Sequence, residues 1–131
     1  MSGEKNLHVL LNNMKPVLNE GEYTFCTVAN LNGFELSEII GSFKEPEGIT
    51  LIISQSYAQK MELTYTSIMS WITLQVHSSL EAVGLTATFS KILAEHNISC
   101  NVVAGYYHDH IFVMKADADK AMQLLNSFKN S

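Results

Sequence analysis

The hydrophobic pattern of the second half of the chain constrains the fold most, because it changes period in a fixed order. From Met69 to His77 polar and apolar residues alternate, as in a strand with one buried face. Ser78–Glu81 has the Ser-x-x-Glu form of a helix-capping box, and apolar residues at helical spacing follow from Leu85 to His96. Two strand-like runs, 98–104 and 110–115, and an amphipathic helix come next. The predicted order is strand, helix, strand, strand, helix.

This order is βαββα, one strand short of the split βαββαβ arrangement of ferredoxin-like sheets. Because the sequence ends before a last strand can form, we expect the missing strand to be supplied from elsewhere. The alternation also predicts which side chains share a face. On the first strand, Ile72 and Leu74 take the core face and Trp71 and Thr73 the other. On the last strand, Ile111 and Val113 are predicted to lie opposite His110, Phe112 and Met114.

The first half of the chain predicts helix, strand, helix, strand. We expect helices over 7–18 and 36–43, where apolar residues recur at helical spacing, and strands over 22–28 and 49–54. Pro16 should end or kink the first helix. The residues 55–66 have no clean period and are interpreted as a connection and module boundary. Two strands and two helices are too few for a separate core. We therefore predict two incomplete modules, 1–64 and 65–131, that share or exchange strands.

Composition limits the function. Eight basic against 13 acidic side chains give a net charge of -5, and no run of Lys or Arg could neutralise phosphates. We therefore expect no nucleic-acid and no membrane partner. The sequence contains no signal peptide and no stretch of 18 apolar residues, which predicts a cytoplasmic protein. Cys26 and Cys100 lie in apolar runs outside any Cys-x-x-Cys pair and are expected to be free thiols.

Three segments resemble an ACT domain: Trp71–His77, Val83–Ala87 and Ile92–Val103. In that family a strand leads to a loop whose Gly opens the first helix, the helix ends in a Leu-Ala pair, and an "Ile-x-x-Asn" strand follows. The match is similar to the regulatory ACT pair of aspartate kinases. The segments Met14–Leu18 and Gly21–Tyr23 resemble small stand-alone proteins built of two ACT-like modules. The sequence departs from the family in its loop, which lacks the Asp-x-Pro-Gly of many members.

The resemblance implies an α+β fold of two ferredoxin-like ACT modules, with antiparallel sheets and helices on one face. It implies a non-enzymatic regulatory module that binds a small molecule, plausibly an amino acid, and passes the binding on through homo-oligomerisation or a partner protein. The alternative is a ligand-free module that only dimerises. Polar groups converging around Gly84 and Asn101 would favour the first; an apolar strip of Trp71, Phe112 and Met114 would favour the second.

The predicted ligand site lies where the loop 78–85 meets the strand 98–103. Gly84 would let backbone N–H groups approach a ligand carboxylate at a helix N-terminus, although close helix–sheet packing explains a glycine equally well. Asn101 could offer a donor and an acceptor to an α-amino acid, or could be an ordinary sheet-edge residue. The predicted ligand-binding residues are Ser79, Val83, Gly84, Leu85, Ile98, Asn101 and Val102.

The other polar motif is His108-Asp109-His110. Residues at i and i+2 of an extended segment share a side, so the two imidazoles could bracket a metal together with His77. A hairpin turn with partly solvated rings is commoner, and we predict no metal and no cofactor. Ser78 or Ser79 beside His77 does not form a catalytic site, because adjacent residues rarely align nucleophile and base. We predict no catalytic residue.

Overall fold

The computed structural model describes residues 14–76 and 85–127, which divide into two compact units. Glu20–Met69 forms one, called here the central unit for its place in the sequence. The described residues before and after it form the other, the flanking unit. The flanking unit therefore combines segments from both sides of the central one. No helix of the described residues is long and apolar enough to span a membrane.

The described elements follow one another along the chain in mixed order. They are β1 (Met14–Leu18), β2 (Tyr23–Val28), β3 (Ile39–Glu45), β4 (Gly48–Ser54), α1 (Gln55–Lys60), β5 (Met69–Val76), α2 (Leu85–Glu95), β6 (Cys100–Ala104), β7 (Asp109–Met114) and α3 (Ala118–Asn126). Short 3-10 helices lie at Leu36–Glu38 and Lys115–Asp117.

The flanking unit has the strand order β1-β5-β7-β6. Its β5–α2–β6–β7–α3 segment is the βαββα order that the sequence predicts. β1 pairs antiparallel with β5, from Met14 opposite Val76 to Leu18 opposite Ile72. β1 therefore lies at the edge where the βαββα segment has no further strand of its own. β6 and β7 form an antiparallel hairpin, with Cys100 opposite Val113.

The core of the flanking unit lies between its sheet and both helices. The buried side chains are Met14, Ile72, Leu74, Phe89, Leu93, Ile98, Ile111, Val113, Ala118, Ala121 and Leu125. Because Ile72, Leu74, Ile111 and Val113 point to the helices, the alternation-based assignment of faces is confirmed. Asn97, at φ 60°, closes the turn after α2 in the left-handed conformation that asparagine tolerates.

The central unit has the strand order β3-β4-β2, with antiparallel pairing throughout. Its one α-helix, α1, begins after Ser54, whose hydroxyl accepts a hydrogen bond from the Tyr57 N–H at 3.1 Å. Tyr57 and Ala58 of this helix pack on Cys26, Leu51 and Ile53. The free Cys26 thiol is buried, and this burial raises its pKa.

The first predicted helix is wrong over residues 14–18, which form β1; residues 7–13 lie outside the described part. Within β1 the buried side chains are Met14 and Pro16, two apart, which is the period of a strand. Pro16 has no N–H to donate, and such a residue is tolerated at a sheet edge. Pairing with β5 therefore outweighs a stripe that fitted a helix.

The second predicted helix, 36–43, is also wrong. Only Leu36–Glu38 is helical, as one 3-10 turn, and β3 follows. The presumed buried stripe is not buried, since Leu36 and Phe43 are 72% and 71% exposed. The register shifts between Ile39 and Gly41, so Ile40 is the extra residue of a bulge. Ile39 pairs with Ile53 and Phe43 with Thr50, which lie on opposite faces of β4, so the apolar residues at helical spacing do not share a face.

The connection predicted at 55–66 contains α1 and is wrong over Gln55–Lys60. The sequence signal for this helix is Ser54, which caps its N-terminus at the end of β4. With six residues, α1 is too short to show a helical period in the sequence. The predicted strands 22–28, 49–54, 69–77, 98–104 and 110–115 are confirmed with ends shifted by up to two residues, apart from His77, which lies outside the described part.

Candidate functional site

A cluster of polar and aromatic side chains lies on the face of the flanking sheet opposite its helices. Trp71 Nε1–H donates a hydrogen bond to His110 Nδ1 at 3.0 Å, joining β5 to β7. The Trp71 ring stacks on Phe112, with centroids 6.0 Å apart. Thr73 Oγ1 lies 3.1 Å from the same His110 nitrogen and accepts a hydrogen bond from Asn19 Nδ2 at 2.9 Å. The alternation along β5 and β7 places these side chains together.

The hydrogen bonds fix the tautomer of His110. An indole N–H can only donate, so Nδ1 of His110 must be an unprotonated acceptor, and the proton of the neutral ring is on Nε2. Thr73, close to the same nitrogen, can therefore only donate to it. Burial lowers the pKa of His110, and the neighbouring His108 lowers it further, while Asp109 acts in the opposite direction. The neutral ring is the favoured form.

The β6–β7 hairpin encloses the other side of His110. Gly105 N–H donates to the His108 carbonyl at 2.9 Å. A Cβ added at Gly105 would lie 2.8 Å from that carbonyl oxygen and 3.1 Å from His110 Nε2, so only glycine fits this turn without displacement. His108 Nδ1 is buried and has no partner among the described residues. Tyr106 and Tyr107 project from the tip.

The residues of the predicted ligand site are only partly described. Ser79, Val83 and Gly84 lie outside the described residues, and Leu85 is the first residue of α2. Ile98 is 3% exposed and its side chain belongs to the core. Asn101 and Val102 are both exposed on β6, opposite Phe112 and Ile111 of β7. They are neighbours in a strand and therefore point to opposite faces.

This alternation separates the roles that the two β6 residues can play. Asn101 shares the helix-free face with Phe112, to which it is paired. Val102 is on the helix-side face, where it leaves 37% of its side chain exposed at the rim of the core. Only Asn101 can offer its side chain to a molecule on the helix-free face.

A surface depression of about 470 Å³ adjoins the start of β6. It is lined by residues from the end of α2 and the following turn: Ser90, Ala94, Asn97, Ile98, Ser99 and Cys100. The Cys100 thiol lies 3.9 Å from Ser90 Oγ. The walls carry no charged side chain, so this depression offers hydrogen bonds and apolar contact rather than ion pairing.

The motif His108-Asp109-His110 lies at the turn end of the hairpin, where β7 begins. Ala104 pairs with Asp109, and the two histidines precede and follow it. His77, the third ligand of the metal alternative, lies outside the described residues. Among 14–76 and 85–127 no group of three His, Cys, Asp or Glu side chains could hold a metal ion.

Sequence reasoning missed the role of Asn19, which sits in a turn far from the other cluster residues. Its amide also donates to the Trp71 carbonyl at 3.2 Å, and its backbone N–H to the same oxygen at 2.8 Å. The faces of Trp71, Thr73 and His110 were predictable from alternation. Their contact was not, because it depends on β5 lying next to β7.

Two family models describe the chain from one end to the other. An ACT domain model matches residues 2–70 and a second ACT domain model matches residues 66–127. The chain belongs to the ACT domain family. ACT domains have ferredoxin-like folds, and here two occur in tandem in an α+β protein, as the sequence predicts. They are typically regulatory modules that bind ligands.

Solved structures show the same fold over nearly the whole chain. A Vibrio cholerae protein described as of unknown function and a possible transport protein is 52% identical, covers 97% of this chain and 98% of its own, and has a TM-score of 0.88. A protein from Agrobacterium tumefaciens is 15% identical, with coverages of 89% and 90% and a TM-score of 0.73.

The regulatory subunit of aspartate kinase from Thermus thermophilus, in a ligand-free form, also has this fold. It is 6% identical, with coverages of 86% and 95% and a TM-score of 0.58. No curated protein matches the sequence. At such low identity this likeness establishes the fold, and the ligand has to be argued from the residues of this chain.

Proposed function

We propose that this tandem ACT protein is a sensor that binds an amino acid where the loop 78–85 meets β6, and that binding changes its oligomeric state. The observation that carries the proposal is Asn101, an exposed carboxamide on β6 of an ACT module. A carboxamide both donates and accepts hydrogen bonds, which suits a ligand with an ammonium and a carboxylate group. No catalytic step is required of any residue.

The two ends of the ligand are assigned to different elements. The first N–H groups of an α-helix have no partner within the helix and carry a partial positive charge, so the start of α2 near Leu85 suits a carboxylate. Because the Asn101 side chain points to the helix-free face, its carbonyl oxygen would accept from the ammonium group across the seam with a second copy of β6, rather than beside α2 of its own copy. Ile98 contributes backbone only, because its side chain is in the core, and Val102 contributes at most the rim of the site.

Transmission is assigned to the outer edge of β6. β6 is the last strand of the flanking order among the described residues and carries no charged side chain. Charged residues and proline normally protect an edge from pairing with another chain, and β6 has neither. A second copy of β6 can therefore extend the sheet, with Asn101 of each copy close to the new seam.

A thermal-shift screen of the full chain against the twenty amino acids tests ligand binding. A ligand that binds only the native state raises the melting temperature, by an amount that grows with its concentration. We expect at least one amino acid to do so at millimolar concentration. If no amino acid does, the proposal of an amino-acid sensor is wrong. A parallel screen of common nucleotides shows whether the chain binds a different class of ligand.

Two substitutions localise the site once a ligand is found. Gly84→Val should block the backbone approach and weaken binding at least tenfold, about 1.4 kcal/mol. Asn101→Ala should cost one hydrogen bond, about 1 kcal/mol. Asn32→Ala, an exposed asparagine in a turn of the central unit, is the matched control and should leave affinity unchanged. Circular dichroism checks that each variant is folded, and unchanged affinity in folded Gly84→Val and Asn101→Ala places the ligand elsewhere.

The second candidate is a ligand-free dimerisation module. The exposed, uncharged edge of β6, with Val102 and Val103 each 37% exposed, favours it independently of any ligand. The apolar strip of Trp71, Phe112 and Met114 predicted for this alternative is mostly not available for contact with another copy. Phe112 is only 1% exposed, and Trp71 is hydrogen-bonded to His110 within the flanking unit. Contact would therefore be through the edge rather than the face.

Sedimentation of edge variants separates the two candidates. Val102→Lys places a charge on the β6 edge and should shift the chain toward monomer. Phe43→Lys, on β3 at the edge of the central unit, is the matched control and should not. A dimer whose dissociation constant is unchanged by every amino acid supports the ligand-free module. A chain that is monomeric at 100 micromolar, with and without ligand, contradicts both candidates.

A further inference from the structure

His110 is enclosed at both ring nitrogens by groups of its own unit. On one side Nδ1 accepts from the Trp71 indole at 3.0 Å, with Thr73 Oγ1 3.1 Å away. On the other side Gly105 lies so close that one added carbon would come within 3.1 Å of Nε2. His110 thus connects the turn end of the β6–β7 hairpin with β5.

Protonation is incompatible with this arrangement. An imidazolium carries hydrogen on both nitrogens, so a protonated Nδ1 would face the Trp71 N–H with two donors and no acceptor between them. Thr73 could accommodate the new N–H by turning its hydroxyl, because its oxygen can accept from both Asn19 and His110, but the Trp71 N–H would still face a donor. The indole has no alternative, because it is a donor only. A charged His110 must therefore move away from Trp71.

The groups facing His110 do little to stabilise its charge. β5 presents Trp71 and Thr73, the preceding turn presents Asn19, and the paired position of β6 is Val103; none of them is charged. From the hairpin itself, His108 disfavours the charged ring and Asp109 favours it, and the effect of His108 is the larger. The enclosed state therefore holds the neutral ring.

We propose that His110 makes the turn end of the hairpin respond to protons: the neutral ring holds that end of the β6–β7 hairpin against β5 through Trp71, and protonation loosens it while the backbone pairing of β5 with β7 persists. The sign follows from linkage. A His110 ring freed from the cluster binds a proton near its ordinary pKa of about 6.5, whereas the enclosed ring has a lower pKa. The released state therefore gains population as the pH falls below about 6.5. Since β6 belongs to this hairpin, acid would alter the edge on which oligomerisation is proposed to depend.

The tryptophan reports the event directly, because the chain contains a single one. In the full chain without ligand, Trp71 fluorescence is titrated from pH 8 to pH 4.5. We expect one reversible transition with a midpoint below about 6.5, absent in His110→Gln and retained in His96→Gln, where the exposed imidazole in the turn after α2 is removed instead. His108→Gln should raise the midpoint, since it removes the neighbouring imidazole that lowers the pKa of His110.

A second variant separates a proton response from simple packing. Trp71→Phe keeps an aromatic ring on Phe112 but removes the donor, so the His110 pKa measured by NMR should rise toward its ordinary value. Amide exchange of Cys100–Ala104 in the native chain, corrected for intrinsic rates, should accelerate at least about tenfold across the transition. A fluorescence transition unchanged in His110→Gln, a His110 pKa unmoved by Trp71→Phe, or hairpin exchange indifferent to pH would each overturn the proposal. None of these results depends on an amino-acid ligand.

Discussion

The two units bury very different amounts of apolar side chain behind sheets of similar size. Among the described residues of the flanking unit, eleven buried side chains, with three more that are partly buried, lie between four strands and two helices of 11 and 9 residues. In the central unit five buried side chains, with eight more that are only partly buried, lie between three strands and a helix of 6 residues. The central unit adds hydrogen bonds from buried side chains to its loops. Thr24 Oγ1 donates to the Ser67 carbonyl at 2.8 Å, and Tyr57 Oη accepts from the Glu35 N–H at 2.9 Å.

The two units are stabilised in different ways. Burial of large apolar side chains is the main stabilising term where two helices cover the sheet. Where one short helix covers it, polar side chains that satisfy backbone groups order the long connections. Truncating a buried apolar group should therefore cost more in the flanking unit, and single polar atoms should supply a larger share of the stability of the central unit.

Phe89→Ala should have the largest effect. Phe89, on α2, is fully buried in the flanking core, so truncation should lower the free energy of unfolding by about 3–5 kcal/mol. Urea unfolding followed by circular dichroism measures it. Phe43→Ala removes the same group from a 71% exposed position on β3 and should change stability by less than about 0.5 kcal/mol. Equal losses would show that burial does not distinguish these sites.

Met14→Ala tests whether β1 belongs to the flanking core. The Met14 side chain is fully buried there although 55 residues separate it from Met69, where β5 begins, and we expect a loss of about 2–4 kcal/mol. Leu18→Ala, at the exposed end of the same strand, is the control and should cost under about 1 kcal/mol. If the two variants unfold at the same urea concentration, β1 does not complete this core.

Tyr57→Phe should have the smallest effect and should sharpen the polar side of the comparison. It removes the oxygen that accepts from Glu35 while keeping the ring against Phe34, 6.3 Å between centroids. The expected loss is about 1 kcal/mol. Tyr106→Phe, on a 95% exposed ring at the hairpin tip, should be neutral. A neutral Tyr57→Phe would mean that water replaces the hydroxyl without cost.

The sequence predicted the flanking unit better than the central one for physical reasons. Polar and apolar residues alternate strictly along β5 and β7, and α2 and α3 each carry a full apolar stripe at helical spacing. These patterns are consistent with one assignment of strands and helices only. In the central unit a bulge between Ile39 and Gly41 disguised a strand as a helix, and α1 is too short for a period. β1 was misread because its pairing with β5 is decided over more than fifty residues.

The candidate site was predictable in its parts rather than in its assembly. Alternation assigned Trp71, Thr73, His110 and Phe112 to the face opposite the core. The Trp71–His110 hydrogen bond also requires β5 and β7 to be adjacent in the sheet, and these two strands are not joined by a turn. Asn19 could not be foreseen, since only the fold brings it to Thr73. The ligand residues Gly84 and Asn101 came from family resemblance and stay a prediction.

Amide chemical shifts of the full, isotopically labelled chain locate a bound amino acid without any substitution. With the amino acid that gives the largest thermal shift, we expect saturable changes concentrated at residues 78–85 and 98–103, together with a change in rotational correlation time as the oligomeric state responds. If the changes are confined to other residues, or if the site saturates with no change in molecular size, this chain is not an amino-acid sensor of the kind proposed.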